Sequence, residues 1–190
     1  VGYMVGGAWL ANESGMTGAI YHILSDALMT LCLFFAIGLV ILRTGEHRLI
    51  AFRGLFRKMP LTMIGFTVGA FSMIGLPPTC GFFSKWYLVQ GGIQAGQWGY
   101  VGALLFSSLV NAVIFFRLIE LAYFKDVEAE ESSADDPDLR PVVAMAASPW
   151  SMLLPMLGTA AGLLLLGVFN GAVIGWISRG VDTLNLGGSN

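Results

Sequence analysis

The sequence has 190 residues, 56% of them hydrophobic and 12% charged, and a formal net charge of -2. A soluble domain carries roughly twice that charged share and fewer apolar residues, so the expected solvent is bilayer rather than water. The near-neutral balance excludes a basic nucleic-acid surface, and Cys32 and Cys80 lack the spacing of a disulfide framework or metal site and read as small buried apolar residues.

The chain opens with Val1-Gly2-Tyr3-Met4 inside an apolar piece, residues 1–10, without the basic start or cleavage site of a signal peptide. It reads as a chain entered mid-helix, with more spans expected upstream. After the polar cluster Asn12-Glu13-Ser14, residues 16–42 form an apolar segment long enough to cross a bilayer with tilt. Residues 43–58 then carry Arg43, Arg48, Arg53, Arg57 and Lys58 against Glu46, which the positive-inside rule places on the cytoplasmic side. Leu49, Ile50, Phe52, Leu55 and Phe56 interleave with the basic residues, a pattern suited equally to a short surface-lying amphipathic helix and to a solvated loop.

Residues 61–92 are too long for one straight crossing, and Gly75-Leu76-Pro77-Pro78 interrupts them near the middle. Pro77 and Pro78 supply no backbone donors and bias Leu76 away from helix, so two half-helices joined by an unwound turn are predicted. The freed carbonyls require protein or a wet cavity beside them, because lipid cannot satisfy them. A further span over residues 100–124 returns to the inner side. There, residues 125–149 form an acidic loop with Asp126, Glu128, Glu130, Glu131, Asp135, Asp136 and Asp138. A last span is expected over residues 152–177, with the tail from Ser178 outside, completing a final unit over residues 150–190. Trp98, Tyr100, Trp150 and Trp176 fall near span ends and read as interfacial anchors.

A charge inside a span is costly and marks a functional position by default. Lys85 lies ten residues before Ala95, about 15 Å deep and close to the middle of a ~30 Å hydrocarbon core. A lysine there can store and release a proton. His22, Asp26 and Thr30 recur at i, i+4 on one helix face, with Asp26 about 14 Å deep by the same counting. A histidine titrates in the range that proton relays use. Direct or water-bridged contact between Asp26 and Lys85 is therefore expected, since each offsets the other's solvation penalty. Arg117 and Glu120, at i, i+3 near the inner interface, suit a structural ion pair. Ser107, Ser108 and Asn111 on the same span suit either a hydrated path or polar helix packing.

The stretch Met73-Ile74-Gly75-Leu76-Pro77-Pro78-Thr79-Cys80-Gly81-Phe82-Phe83-Ser84-Lys85-Trp86-Tyr87-Leu88 closely resembles the broken-helix motif found in the D-type component of Mrp-type cation/proton antiporters and in the related antiporter-like subunits of complex I. The proline break, the Gly-Phe-Phe-Ser run and the lysine fall in one register. Gly2-Tyr3-Met4 and the entry Thr17-Gly18-Ala19-Ile20-Tyr21-His22 extend the resemblance, more weakly, to about residue 124. The resemblance implies an all-α fold of polytopic transmembrane helices, arranged as two inverted repeats with a broken helix in each. It also implies that residues 1–124 hold most of the second repeat, and that Lys85 is a central proton-transfer residue. Where the family commonly has a His-x-x-x-His-x-x-x-Lys ladder, this chain has His22, Asp26 and Thr30.

The expected function is that of a transport subunit rather than an enzyme: a proton path through Lys85 with Asp26 and His22 as relays, coupled to exchange of sodium or another cation. It needs no cofactor. Its partners would be other membrane subunits of a hetero-oligomeric complex, and its place the inner (plasma) membrane of a bacterium or archaeon. A second class is the membrane arm of complex I or a membrane-bound hydrogenase, with the redox chemistry in partners because the sequence carries no nucleotide motif or metal-ligand cluster. A third is a scaffold subunit that no longer conducts.

Overall fold

The computed structural model describes residues 1–45, 54–124 and 150–186. Among these residues the chain is all helical, in the order α1 (Gly2–Trp9), α2 (Glu13–Thr44), α3 (Leu55–Lys58), α4 (Pro60–Ile74), α5 (Cys80–Gln94), α6 (Trp98–Phe124), α7 (Trp150–Val168) and α8 (Asn170–Leu186). The acidic loop expected at 125–149 and the basic, apolar stretch around Leu49, Ile50 and Phe52 lie outside the described residues.

Among the described residues three helices, α2, α6 and α7, are long and apolar enough to cross a membrane by length and composition. The 32 residues of α2 would extend about 48 Å. Asn12 starts this helix by accepting from the Gly15 amide at 2.7 Å, the side-chain capping that an exposed first turn requires. Its amide group also donates to the Gly91 carbonyl at 2.7 Å, tying the start of α2 to the end of α5. The two helices run antiparallel at very close range. A Cβ at Gly18 would meet the Leu88 backbone nitrogen at 2.8 Å, so a larger residue at 18 would force the pair apart.

α2 is the central element, packed against α1, α4, α5, α7 and α8. Its buried side chains Tyr21, Met29, Cys32, Ala36, Leu39 and Val40 form the core with Met63, Phe66 and Ala70 of α4 and Leu153, Met156 and Leu163 of α7. Both cysteines are fully buried and free, and Cys32 rests its thiol against the Gly65 carbonyl at 3.5 Å. α6 is different, with Val101, Leu104 and Ala122 as its buried residues and most of its apolar length facing outward.

The predicted interruption is present, with α4 ending at Ile74 and α5 starting at Cys80. Gly75 closes α4 at φ 92, a left-handed conformation that glycine adopts without steric cost. Its amide and that of Leu76 both return to the Phe71 carbonyl, at 3.0 and 2.9 Å.

One expectation is corrected. The last span is not one helix over 152–177: α7 ends at Val168 and a separate helix runs from Asn170 through Ser178 to Leu186. α7 buries Leu153, Met156, Ala160, Leu163 and Gly167 at helical spacing, whereas α8 buries Ile177 and Val181 with Val173 and Ile174 beside them. At the junction Asn170 donates to the Gly167 carbonyl at 2.8 Å, and Gly167 is seated on the backbone of Pro78 and Thr79. In the 43–58 segment, beyond the end of α2, the described residues form the four-residue helix α3, and residues 46–53 lie outside the described residues. Leu55 is buried in the protein core and Phe56 stacks on Tyr123 with ring centroids 4.3 Å apart, so this turn packs on protein.

Candidate functional site

The interrupted helix leaves the last carbonyls of α4 without the amides that a further turn would provide, and such carbonyls carry the negative end of the helix dipole. Lys85 answers them. From the second turn of α5 its side chain folds back so that Nζ donates to the Met73 carbonyl at 2.7 Å and the Ile74 carbonyl at 3.0 Å. A third donation goes to Ser108 Oγ on α6, also at 3.0 Å. An ammonium has three donors, so this set satisfies it completely within a buried position that is 7% exposed. A cavity of about 150 Å³ adjoins it between α4, α5 and α6, bounded among others by Gly75, Phe82, Trp86 and Leu105.

His22, on α2, meets α5 at the residue before Lys85. Its Nδ1 is 2.9 Å from Ser84 Oγ, and both residues are buried. The Tyr3 ring of α1 meets the imidazole edge-on, with centroids 5.4 Å apart, while the Tyr3 hydroxyl donates to Ser107 Oγ. Asp26 sits one turn further along α2, half-buried and within electrostatic range of both His22 and Lys85. The donors of Lys85 go to the α4 carbonyls and Ser108 rather than to Asp26. Thr30 is half-buried a turn beyond. Arg117 and Glu120 are both exposed on α6, away from the lysine. Pro77 and Pro78 occupy the exposed side of the break.

The structure thus brings His22, Asp26 and Lys85 into one neighbourhood and leaves Arg117 and Glu120 outside it. Sequence reasoning missed Ser84 as the partner of His22 and Tyr3 as its neighbour. Neither had a visible cue, because the partners lie 62 residues apart in one case and on separate helices in the other. Tyr100, expected as an interfacial anchor, also has an internal role, its hydroxyl donating to the Tyr3 carbonyl at 3.0 Å. Among the described residues no three His, Cys, Asp or Glu side chains come together as a set able to hold a metal ion.

A polytopic helical protein with a broken helix, and a lysine buried at the break, is an integral membrane protein built on a transporter plan. Residues 1–111 match the family described as NADH:quinone oxidoreductase/Mrp antiporter, TM, and the chain belongs to that family. NADH-quinone oxidoreductase subunit N of Desulforudis audaxviator (strain MP104C) is 47% identical over 179 residues, covering 92% of this chain and 35% of that protein. A provisionally assigned antiporter subunit, mnhD2, of Staphylococcus aureus (strain JH9) is 30% identical over 131 residues, covering 69% of this chain and 26% of that protein. Among solved structures, the Mrp complex from Dietzia sp. DQ12-45-1b superposes with a TM-score of 0.75 at 22% identity, over 91% of this chain and 38% of the matched chain, a likeness of fold. The chain therefore spans about a quarter to a third of the length of the relatives it matches.

Proposed function

We propose that this chain is the Lys85-bearing part of a proton-translocating subunit in a multisubunit membrane complex. The observation that carries this reading is the full set of protein acceptors around the Lys85 ammonium at the open end of α4. A lysine held so deep by fixed dipoles can give up and regain a proton without carrying a shell of bulk water. Asp26 and His22, on the neighbouring face of α2, serve as relay groups on its approach. In this reading residues 1–124 belong to the second of two inverted repeats, the basic and acidic loops face the cytoplasm, and the subunit resides in a bacterial or archaeal plasma membrane.

The stronger sequence likeness, to subunit N of a quinone oxidoreductase, supports a subunit whose proton transfer is driven by electron flow in partner subunits. The likeness to mnhD2 supports a second reading, in which the same path is coupled to sodium or another cation. The complete complex, reconstituted in proteoliposomes, separates the two. Proton movement on adding the electron donor supports the first, and proton movement on imposing a sodium gradient supports the second. Lys85→Ala is expected to abolish transfer in either case. Lys85→Arg is expected to fail as well, because guanidinium keeps its charge at every accessible pH. Wild-type transport by Lys85→Ala would overturn the proton path.

A further inference from the structure

Tyr3 touches both sides of the site. Its ring lies against His22 of α2, its hydroxyl donates to Ser107 of α6, and its carbonyl accepts from Tyr100 of α6 at 3.0 Å. This matters because α6 supplies the third acceptor of the Lys85 ammonium. Along its length α6 packs through Leu104 and, further on, through Phe115, Leu118 and Ile119. At its inner end α6 is held by Tyr123, which stacks on Phe56 and lies 3.2 Å from Thr67 Oγ1. At its outer end the Tyr100–Tyr3 bond holds it. Between these ends, Tyr3 fixes Ser107.

Successive residues of a helix are rotated by about 100°, so Ser107 and Ser108 point in different directions from one short stretch of backbone. With Ser107 on Tyr3, Ser108 is presented to Lys85. A rotation that released the first contact would carry the second hydroxyl away from the ammonium. We propose that Tyr3 is a positioning residue for Lys85, holding α6 in the rotation that places Ser108 Oγ on the ammonium. The inference rests on the proton-transfer reading of Lys85 given above. Tyr3 itself is firmly seated: its ring packs beside Ala19, Leu88 and Leu104, and its main chain is fixed by Tyr100.

The test is a mutant cycle in the complete complex in proteoliposomes, with the initial proton-transfer rate expressed per assembled complex. Tyr3→Phe keeps the ring against His22 and deletes the hydroxyl. It should slow transfer about two- to tenfold, the range that one hydrogen bond supplies. Ser107→Ala should match it, and Ser107→Thr, which retains a hydroxyl, should restore the rate. Ser108→Ala should slow transfer at least as much, and the double variant Tyr3→Phe/Ser108→Ala should be no slower than Ser108→Ala alone, because the two act through one contact. A wild-type rate in Tyr3→Phe overturns the inference, as do factors that multiply in the double variant. Should Tyr3→Phe fail to assemble, Ser107→Ala takes its place in the same cycle. If Lys85→Ala retains full transport, the underlying proton path fails; if it does not and Tyr3→Phe is silent, the positioning role alone fails.

Discussion

The residues that meet at the site are bound by ordinary requirements of buried polar groups. His22 and Ser84 satisfy each other at 2.9 Å in a position closed to solvent. Ser84 Oγ also donates to the Gly81 carbonyl at 3.0 Å, so it is the imidazole nitrogen that would be left buried and unmet on removing the serine hydroxyl, which typically costs about 1–3 kcal/mol. Ser84→Ala is therefore expected to lower the thermal midpoint of the assembled complex even where it leaves Lys85 untouched. The measurement is a melting curve of the purified complex in detergent, and an unchanged midpoint would refute the pairing. Lys85 belongs to a different category. Two of its three partners are main-chain carbonyls, which no substitution removes, so its environment responds to changes of backbone path more than to changes of neighbouring side chain.

That dependence makes the break between α4 and α5 the element on which the site turns. Gly75 sits at φ 92, and a Cβ there would come within 3.1 Å of Lys85 Cδ and 3.6 Å of Nζ. Gly75→Ala carries about 1–2 kcal/mol of left-handed strain in addition to this crowding. It is expected to lower both the melting midpoint and the proton-transfer rate of the complex; a variant matching wild type in both would show that the turn does not set the lysine's position. The break itself was legible in the sequence, because Gly75-Leu76-Pro77-Pro78 cannot continue a helical ladder. The burial of Lys85 was legible too, from counting inward along an apolar run. What the sequence concealed was where the ammonium points, since its carbonyl partners are 11 and 12 residues back, across the unwound turn. The division of α7 from α8 was hidden for another reason. Gly167-Val168-Phe169-Asn170 contains no proline and only one polar residue, so hydropathy passes through a junction that is made by packing on the Pro78–Thr79 backbone.

At the scale of the molecule, the helix ends sort into two groups. The end of α2, the start of α7, the short α3 and the end of α6 are linked at one extremity through the Gly38–Met152, Leu55 and Phe56–Tyr123 contacts. The start of α2 and the end of α5 meet at the other through Asn12. Between them α7 runs beside α2, tethered by the Tyr21 hydroxyl to the Leu166 carbonyl at 2.7 Å, and brings Gly167 to the unwound turn.

The seating of Gly167 has a consequence for insulation. Under the proton-transfer reading, an unwound segment in a bilayer needs protein beside its freed backbone groups to keep water and ions away from them, and the end of α7 supplies a backbone there. A Cβ at residue 167 would come within 2.7 Å of the Thr79 carbonyl carbon and 2.9 Å of the Cys80 amide nitrogen, both of them main-chain atoms with nowhere to retreat. Gly167→Val is therefore expected to lift the end of α7 from the turn and leave the resting membrane leaky. In proteoliposomes holding the assembled complex, an imposed pH gradient should decay faster with Gly167→Val than with wild type when no donor or sodium gradient is supplied. Equal decay would mean that the seal lies elsewhere. Efficient coupling in this fold would then depend as much on a glycine that carries no charge as on the lysine that does.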